Sequence, residues 1–204
     1  FWQHGERIVM DIIGLGEAGC NIAECFRKYP QYNIYKIDVG IEGEKCFSVQ
    51  EKKNPEDYET TTPNLSAFFA DLTEEVVFIV GGAGYISAMS LAILQQIKDK
   101  NISILYICPN AKTLTGNKKM LDRATFGILQ QYSRSGMFED IYLISNENVS
   151  NIIGNLPILG YYDKINDLIF LTEPAIFFKT TGISFGPIIS TAKMIMTNNS
   201  DHPI

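Results

Sequence analysis

Short apolar runs rich in β-branched residues alternate along the chain with stretches in which apolar residues recur at helical spacing. Runs of the first kind predict buried strands, and the second pattern predicts helices with one face in a core. The predicted strands are 8–13, 34–38, 76–80, 102–108 and 141–145, and the predicted helices are 18–28, 65–71, 86–97, 118–132, 149–153 and 156–178. This alternation predicts an α/β fold of three layers, with a mostly parallel sheet and helices on both faces.

Between the second strand and the third, the pattern weakens. Residues 39–63 show no strong period and include the run TTTP, so we predict a long loop there, and such loops are often functional. Pro174 falls inside the predicted apolar helix 156–178 and is expected to kink it, because an interior proline removes a backbone hydrogen bond. We find no internal repeat and no low-complexity linker, so residues 1–204 are expected to form one domain.

The composition is that of an ordinary globular chain. The net charge of the chain bears on whether it binds nucleic acid. The net charge of −6 argues against a nucleic-acid surface, since binding phosphate backbones usually requires an excess of Lys and Arg. No apolar run is long enough to span a bilayer, and the first residues lack the layout of a signal peptide. The four cysteines form no CxxC pair, so we expect reduced thiols in a cytoplasmic protein. His4 and His202 are both terminal, which argues against a His-based triad or metal site.

The first candidate site is the segment Gly14-Leu15-Gly16-Glu17-Ala18-Gly19-Cys20-Asn21, which leaves a predicted strand and opens a predicted helix. Glycine permits positive φ and lets a phosphate approach the backbone closely. The start of a helix adds free N–H groups and a partial positive charge. In this context the glycine string favours phosphate binding over a turn that is merely tight.

The second candidate site is Gly81-Gly82-Ala83-Gly84, again between a predicted strand and a predicted helix. Ser87 follows closely and carries a hydroxyl that is able to donate a hydrogen bond to a ligand. A close contact between helix and strand would equally require small residues here, so this motif alone does not decide between binding and packing. Both motifs come at carboxyl ends of predicted parallel strands, where ligands bind in such sheets.

Asp38 keeps a different function open. It follows Gly19 at about the spacing of the acidic residue that binds ribose in dinucleotide folds, so the chain also satisfies the NAD fingerprint. An NAD(P)-dependent oxidoreductase of the Rossmann type is therefore one alternative. It requires nothing from the second glycine motif.

Taken together, the two motifs resemble those of the tubulin/FtsZ family. The segment VVFIVGGAGYISAMSLAILQQI resembles the family signature, in which a strand runs into a loop of the form GGGTGTG and then a helix. The opening DIIGLGEAGCNIAECF is similar to the family's first phosphate loop, where GxGxxGN precedes a helix. The order of elements agrees over about residues 8–190. The resemblance implies the Rossmann-like fold of the family's GTPase domain, with residues 156–178 as its long central helix.

The resemblance also implies residues that hold the rest of the nucleotide. IYLISNENVSNII looks like the segment that places an Asn on guanine, here Asn146, and YYDKINDLIFL looks like the start of the central helix, where Asn166 and Asp167 would face the base. LTGNKKMLDRATFGI resembles the segment that touches the ribose, here through Lys119. Side-chain amides and a carboxylate match the donors and acceptors of guanine. Asn146 as a helix cap and Asn166 as a solvated helix position remain alternatives.

Three departures from the family pattern bear on activity. Tyr85 and Ile86 replace small residues of the second loop and are expected to crowd the phosphates. The family's NxDFAD loop supplies the acid that activates water, and its best match here, GISFGP at 182–187, carries Ser184 and Pro187 in place of the carboxylates. Thr115 stands where the family has a ribose-side acid. We therefore assign no catalytic residue, and the resemblance to GTPases leaves enzymatic activity open.

The resemblance implies binding of GTP or GDP, with Mg²⁺ accompanying GTP, and self-association into filaments or oligomers. The family's second domain is expected to be absent or truncated in this chain. A degenerate assembly module that binds no nucleotide is a further alternative. If the two turns hold phosphate, Gly19→Val and Gly84→Val are each expected to abolish nucleotide retention, because a branched side chain would occupy phosphate space.

Overall fold

The computed structural model describes residues 9–109 and 114–145. Within them, one sheet is built from β1 (Met10–Leu15), β2 (Tyr32–Val39), β3 (Cys46–Val49), β4 (Glu75–Gly81), β5 (Asn101–Cys108) and β6 (Asp140–Ser145). The strands lie in the order β3-β2-β1-β4-β5-β6, and every neighbouring pair is parallel. The five strands predicted from the sequence are confirmed, with bounds that shift by at most two residues.

Helices cover both faces of this sheet. They are α1 (Gly16–Cys25), α2 (Pro55–Thr60), α3 (Ser90–Gln96) and α4 (Asn117–Arg134), with 3₁₀ turns at Phe26–Lys28 and Tyr85–Met89. α1 packs on β1, β2 and β4, and its Ile22 and Ala23 are buried on one face. Ile93 of α3 and Leu129 of α4 belong to the core on the opposite face. The predicted three-layer α/β fold is confirmed.

The strands explain why the sequence reads as continuous apolar runs. Ile12 and Ile13 of β1 are both fully buried but lie in different cores, because successive side chains of a strand point to opposite faces. A parallel sheet covered on both faces needs apolar residues at both positions. Asp11 is the buried exception, and its carboxylate accepts hydrogen bonds from the Asn33 amide at 2.8 Å and the Thr73 hydroxyl at 2.9 Å.

The prediction of a long loop over residues 39–63 is wrong, because β3 and α2 lie within it. β3 is a four-residue edge strand that continues the sheet beside β2, and only Val49 of it is buried, so it gives no apolar run. α2 is a short helix with Pro55 at its start and Glu56 and Asp57 in its first turn. Proline and acidic residues at these positions are start signals that could have identified this helix.

Two predicted helices need correction. Residues 65–71 form turns rather than a helix, closed by hydrogen bonds such as that from Phe69 N–H to Leu65 C=O at 2.9 Å. The predicted helix 86–97 divides into the 3₁₀ turn Tyr85–Met89 followed by α3. The predicted helices 149–153 and 156–178 lie outside the described residues, and the single domain over 1–204 stays a prediction. In the part of the chain that the structure describes, no helix has the length and apolar character to cross a membrane.

Candidate functional site

The two glycine motifs meet at the carboxyl ends of β1 and β4. These strands are neighbours, with Leu15 opposite Val80 in the register. The chain continues outward to β2 and β3 on one side and to β5 and β6 on the other. The strand order therefore reverses between β1 and β4, and open parallel sheets bind ligands in the crevice at such a point.

Gly14 and Gly19 bring α1 close to the sheet. A Cβ atom added to Gly14 would lie 2.5 Å from the carbonyl oxygen of Gly19, and one added to Gly19 would lie 2.5 Å from the carbonyl oxygen of Ile79 in β4. Real Cβ atoms do not come this near to backbone atoms, so both positions require glycine for packing. Gly14 and Gly19 therefore allow α1 to pack closely on the sheet, and the residues between them form the turn.

Gly16 forms the turn. Its φ of +71° lies in the left-handed region that favours glycine, and α1 begins at this residue. The N-cap residue Leu15 has no side chain that is able to cap α1, and Glu17 and Ala18 are exposed in the first turn of the helix. The N–H groups of this turn are thus available to an anion, together with the positive end of the helix dipole. The carboxylate of Glu17 opposes that attraction and is screened by solvent.

Cys20 and Asn21 differ in their surroundings. The Cys20 thiol is buried and lies 3.3 Å from the carbonyl oxygen of Gly14 and 3.6 Å from that of Ile37, to which it donates. Burial raises the pKa of this thiol to about 12, so it stays neutral and helps to fasten α1 to β1 and β2. Asn21 is exposed one turn further along the helix, on the same side as Glu17.

The second turn approaches the first at Gly81. A Cβ atom on Gly81, the last residue of β4, would lie 3.4 Å from the Cβ atom of Ala18. Ala83 is half-buried and Gly84 is exposed. The space beside Gly84 is open, since an added Cβ would meet only the Ile86 side chain at 3.8 Å. The second turn therefore lies close to Ala18 at Gly81 and has an open side at Gly84.

Gly82 lies over a partly buried hydrogen bond that the sequence did not reveal. The Tyr106 hydroxyl donates to the Asp122 carboxylate at 2.7 Å, and a Cβ atom on Gly82 would overlap both groups at 2.0 Å. Burial, and then this hydrogen bond, raise the pKa of Tyr106, so the phenol stays protonated. A buried tyrosine hydroxyl needs a partner, but the sequence gives no sign that Asp122 supplies it.

Ser87 does not present a free hydroxyl. It is 1% exposed, its hydroxyl donates to the carbonyl oxygen of Gly84 at 2.6 Å, and it lies 3.5 Å from the Thr125 hydroxyl of α4. The Ser87 hydroxyl thus forms a hydrogen bond within the second turn and faces α4.

The Ile86 side chain lies between Gly16 of the first turn and Gly84 of the second. Its Cγ2 methyl lies 2.7 Å from the position of a Cβ atom on Gly16. Its side chain is half-buried and packs against the core that contains Leu15, Val80 and Met89. The sequence expectation that a bulky residue would stand close to the phosphate turn agrees with this placement.

The remaining predicted residues are at the edge of the described region or outside it. Lys119 is exposed in the first turn of α4, where its N–H group bonds to Gly116 C=O at 3.1 Å. Asn146, Asn166 and Asp167 lie outside the described residues, as does the segment 182–187.

Asp38 is the last residue but one of β2 and lies near Glu17 of the first glycine turn. Its carboxylate accepts the N–H of Val39 at 2.8 Å. Burial raises the pKa of Asp38, and the nearby charge of Glu17 raises it further. The residue that the dinucleotide alternative requires is thus placed near the start of α1.

A groove of about 490 Å³ lies elsewhere, between α2, α3 with its preceding 3₁₀ turn, and α4. Its apolar lining includes Leu91, Met120 and Ile128. Of the predicted site residues that the structure describes, Ser87 alone contributes to it. The groove opens on the α4 face, whereas the first glycine turn belongs to α1. The groove is therefore separate from the first glycine turn.

The fold has a counterpart among solved structures. It is similar to an FtsZ dimer of M. jannaschii that is described as empty, with a TM-score of 0.66 and 12% sequence identity. The match covers 92% of this chain and 55% of the FtsZ chain, so the chain spans about half the length of that protein. No protein-family model matches the sequence, and no curated protein matches it. The chain thus has a tubulin/FtsZ-like fold.

Proposed function

We propose that this chain is a tubulin/FtsZ-like protein that binds a guanine nucleotide, GTP or GDP, across its two glycine turns. The observation that carries the proposal is the nearness of the two turns at the switch point between β1 and β4, where a Cβ atom added to Gly81 would lie 3.4 Å from that of Ala18. The likeness of the fold to FtsZ supports the choice of nucleotide class.

The phosphates are held by backbone groups at the start of α1. Gly16, Glu17 and Ala18 supply N–H donors there, and the open side of Gly84 leaves room for phosphate oxygens. Neither turn contains Lys or Arg. Any Mg²⁺ would be held mainly by phosphate and water, which suits its coordination. Within residues 9–109 and 114–145 no group of three or more His, Cys, Asp or Glu side chains is placed to hold a metal.

The base and ribose are assigned by the sequence resemblance alone. Asn146, Asn166 and Asp167 would contact guanine, and Lys119 would reach the ribose. Identifying the nucleotide released from the purified protein on denaturation tests the choice of base. Titrations with GDP, ADP and NAD then rank the ligands, and GDP is expected to bind most tightly.

Asp38 supports a second candidate, an NAD(P)-dependent oxidoreductase. The strand order β3-β2-β1-β4-β5-β6 and an acid at the end of β2 are both features of dinucleotide folds. Tighter binding of NAD than of GDP would establish this function instead.

A degenerate assembly module that binds no nucleotide is favoured by Ile86 and by the internal hydrogen bond of Ser87. Under that proposal the protein as purified carries no nucleotide, and neither GDP nor NAD shifts its thermal unfolding. A nucleotide that binds only the folded state raises its stability by mass action, so the shift is a direct readout.

We further propose that the chain self-associates into filaments or oligomers and hydrolyses GTP slowly or not at all. GISFGP at 182–187 lacks the carboxylates of the family's catalytic loop, and a positioned general base contributes about 10²- to 10⁴-fold. Phosphate release should stay near background as protein concentration rises. A steep rise with concentration would show that subunits complete one another's sites, with an acid such as Glu56 or Asp57 as the candidate.

The cytoplasm is the compartment we propose. Cys20, Cys46 and Cys108 form no disulfide, and reduced thiols persist in a reducing environment. Localising a tagged full chain in cells, with mass spectrometry of its thiol state, tests this assignment.

A further inference from the structure

Ile86 fixes an apolar group between the two glycine turns. Its Cγ2 methyl lies 2.7 Å from the Cβ position of Gly16 and 3.8 Å from that of Gly84. The side chain is branched at Cβ, which restricts χ1, and it packs against the core that contains Leu15 and Met89. The methyl is therefore held in place.

The charge of the two turns limits how many phosphates the site is able to stabilise. Residues 14–21 and 81–87 contain no Lys or Arg, and Glu17 adds a negative charge to the first turn of α1. Phosphates at this site are stabilised by backbone N–H groups and a helix dipole, whose attraction falls off within the first turn. Each phosphate that is added to the nucleotide is therefore stabilised less by these groups than the one before it.

We propose that the site takes a nucleoside diphosphate and discriminates against the triphosphate. The inference rests on the function proposed above. The diphosphate lies between the N–H groups at the start of α1 and the open side of Gly84, and the Ile86 methyl occupies the further space between the turns that a third phosphate requires. A methyl group cannot replace the water around an ionised phosphate, so placing one against Ile86 is costly.

The test is a set of titrations of the nucleotide-free full chain with GDP and GTP, both with Mg²⁺. The wild-type protein should bind GDP at least about tenfold more tightly than GTP, a ratio that corresponds to about 1.4 kcal/mol. Ile86→Ala removes the Cγ2 methyl and should bring the two dissociation constants within about threefold. Ile86→Val keeps that methyl and should keep the wild-type preference.

Ile128→Ala is the matched control, because Ile128 is an exposed isoleucine on α4 in the separate groove. It should leave the GDP to GTP ratio unchanged. Equal affinities in the wild-type protein would overturn the inference without any variant, and so would a ratio that Ile86→Ala does not alter. A wild-type protein that binds neither nucleotide would instead overturn the proposed function itself.

Discussion

Gly19 of α1 lies directly against the carbonyl group of Ile79 in β4, where a methyl group on Gly19 would come within 2.5 Å of the oxygen. In the dinucleotide fingerprint the third glycine has the same task of close helix–strand packing. The contact sets the distance between α1 and the strands that carry both glycine turns. Gly19→Val therefore tests folding before it tests phosphate binding.

Gly19→Ala should lower the free energy of unfolding by about 1–3 kcal/mol, the usual cost of overpacking. The neighbouring atom is a backbone oxygen in a central strand, so it cannot move aside as the end of a side chain would. Urea unfolding measured by circular dichroism checks the loss.

Gly127→Ala is the matched control for this substitution. Gly127 lies inside α4, and no atom comes within 4 Å of an added Cβ. Alanine should stabilise the helix there by about 1 kcal/mol, because glycine is the poorer helix former. Equal effects of the two substitutions would show that Gly19 has no packing role.

Gly84→Val should remove nucleotide binding while leaving the fold intact. Gly84 has φ −82° and ψ 138°, a conformation that valine adopts readily, and the space beside it is open. We expect a change of no more than about 0.5 kcal/mol in stability and at least a tenfold rise in the dissociation constant for GDP. Calorimetric titration and urea unfolding of the same sample decide, and normal GDP binding by the folded variant would place the phosphates elsewhere.

The sequence predicted the central strands well because both of their faces are buried, which leaves continuous apolar runs. It missed β3 because a four-residue edge strand with one buried residue leaves no pattern. The two turns were found from glycine spacing, but spacing does not distinguish Gly16, with φ +71°, from Gly19, which packs on a strand. Nor does it show that the Ser87 hydroxyl bonds to Gly84, because that depends on the local 3₁₀ geometry.

Removing Asp122 and removing Tyr106 from the hydrogen-bonded pair beneath Gly82 should lower the free energy of unfolding by different amounts. Asp122→Ala removes the carboxylate that accepts from the buried Tyr106 hydroxyl and leaves only the main-chain carbonyl of residue 122, at 3.1 Å, as acceptor. The variant should therefore cost about 1.5 kcal/mol, the lower end for a hydrogen bond to a charged group. Tyr106→Phe leaves a half-buried carboxylate that water can reach, so it should cost about 1 kcal/mol. The double variant Tyr106→Phe/Asp122→Ala should cost less than the sum of the two. Additive losses in urea unfolding would show that the pair is not coupled.

The Glu24 carboxylate of α1 makes stability depend on pH in the acidic range. Its hydrogen bond with Arg27 lowers the pKa of Glu24 to about 2, with Lys36 at 2.9 Å adding to the effect and partial burial opposing it. A glutamate in an unfolded chain has a pKa of about 4.3. Because the folded pKa is the lower one, the ionised form favours the folded state. That stabilisation is complete above about pH 4.3 and is lost as the pH falls toward 2.

Glu24→Gln should therefore lower the stability at pH 7 and match the wild-type protein near pH 2. The Glu24 side chain is 44% exposed, so solvent screening limits the effect to at most about 1 kcal/mol. Urea unfolding of both proteins at pH 7, 5, 3.5 and 2.5, with and without 0.5 M salt, measures the difference, which salt should also reduce. Glu51→Gln, at an exposed glutamate for which no ion pair is found in the described part of the chain, serves as the control. A Glu24→Gln difference that stays constant from pH 7 to 2.5 would show that the ion pairs of Glu24 do not stabilise the fold.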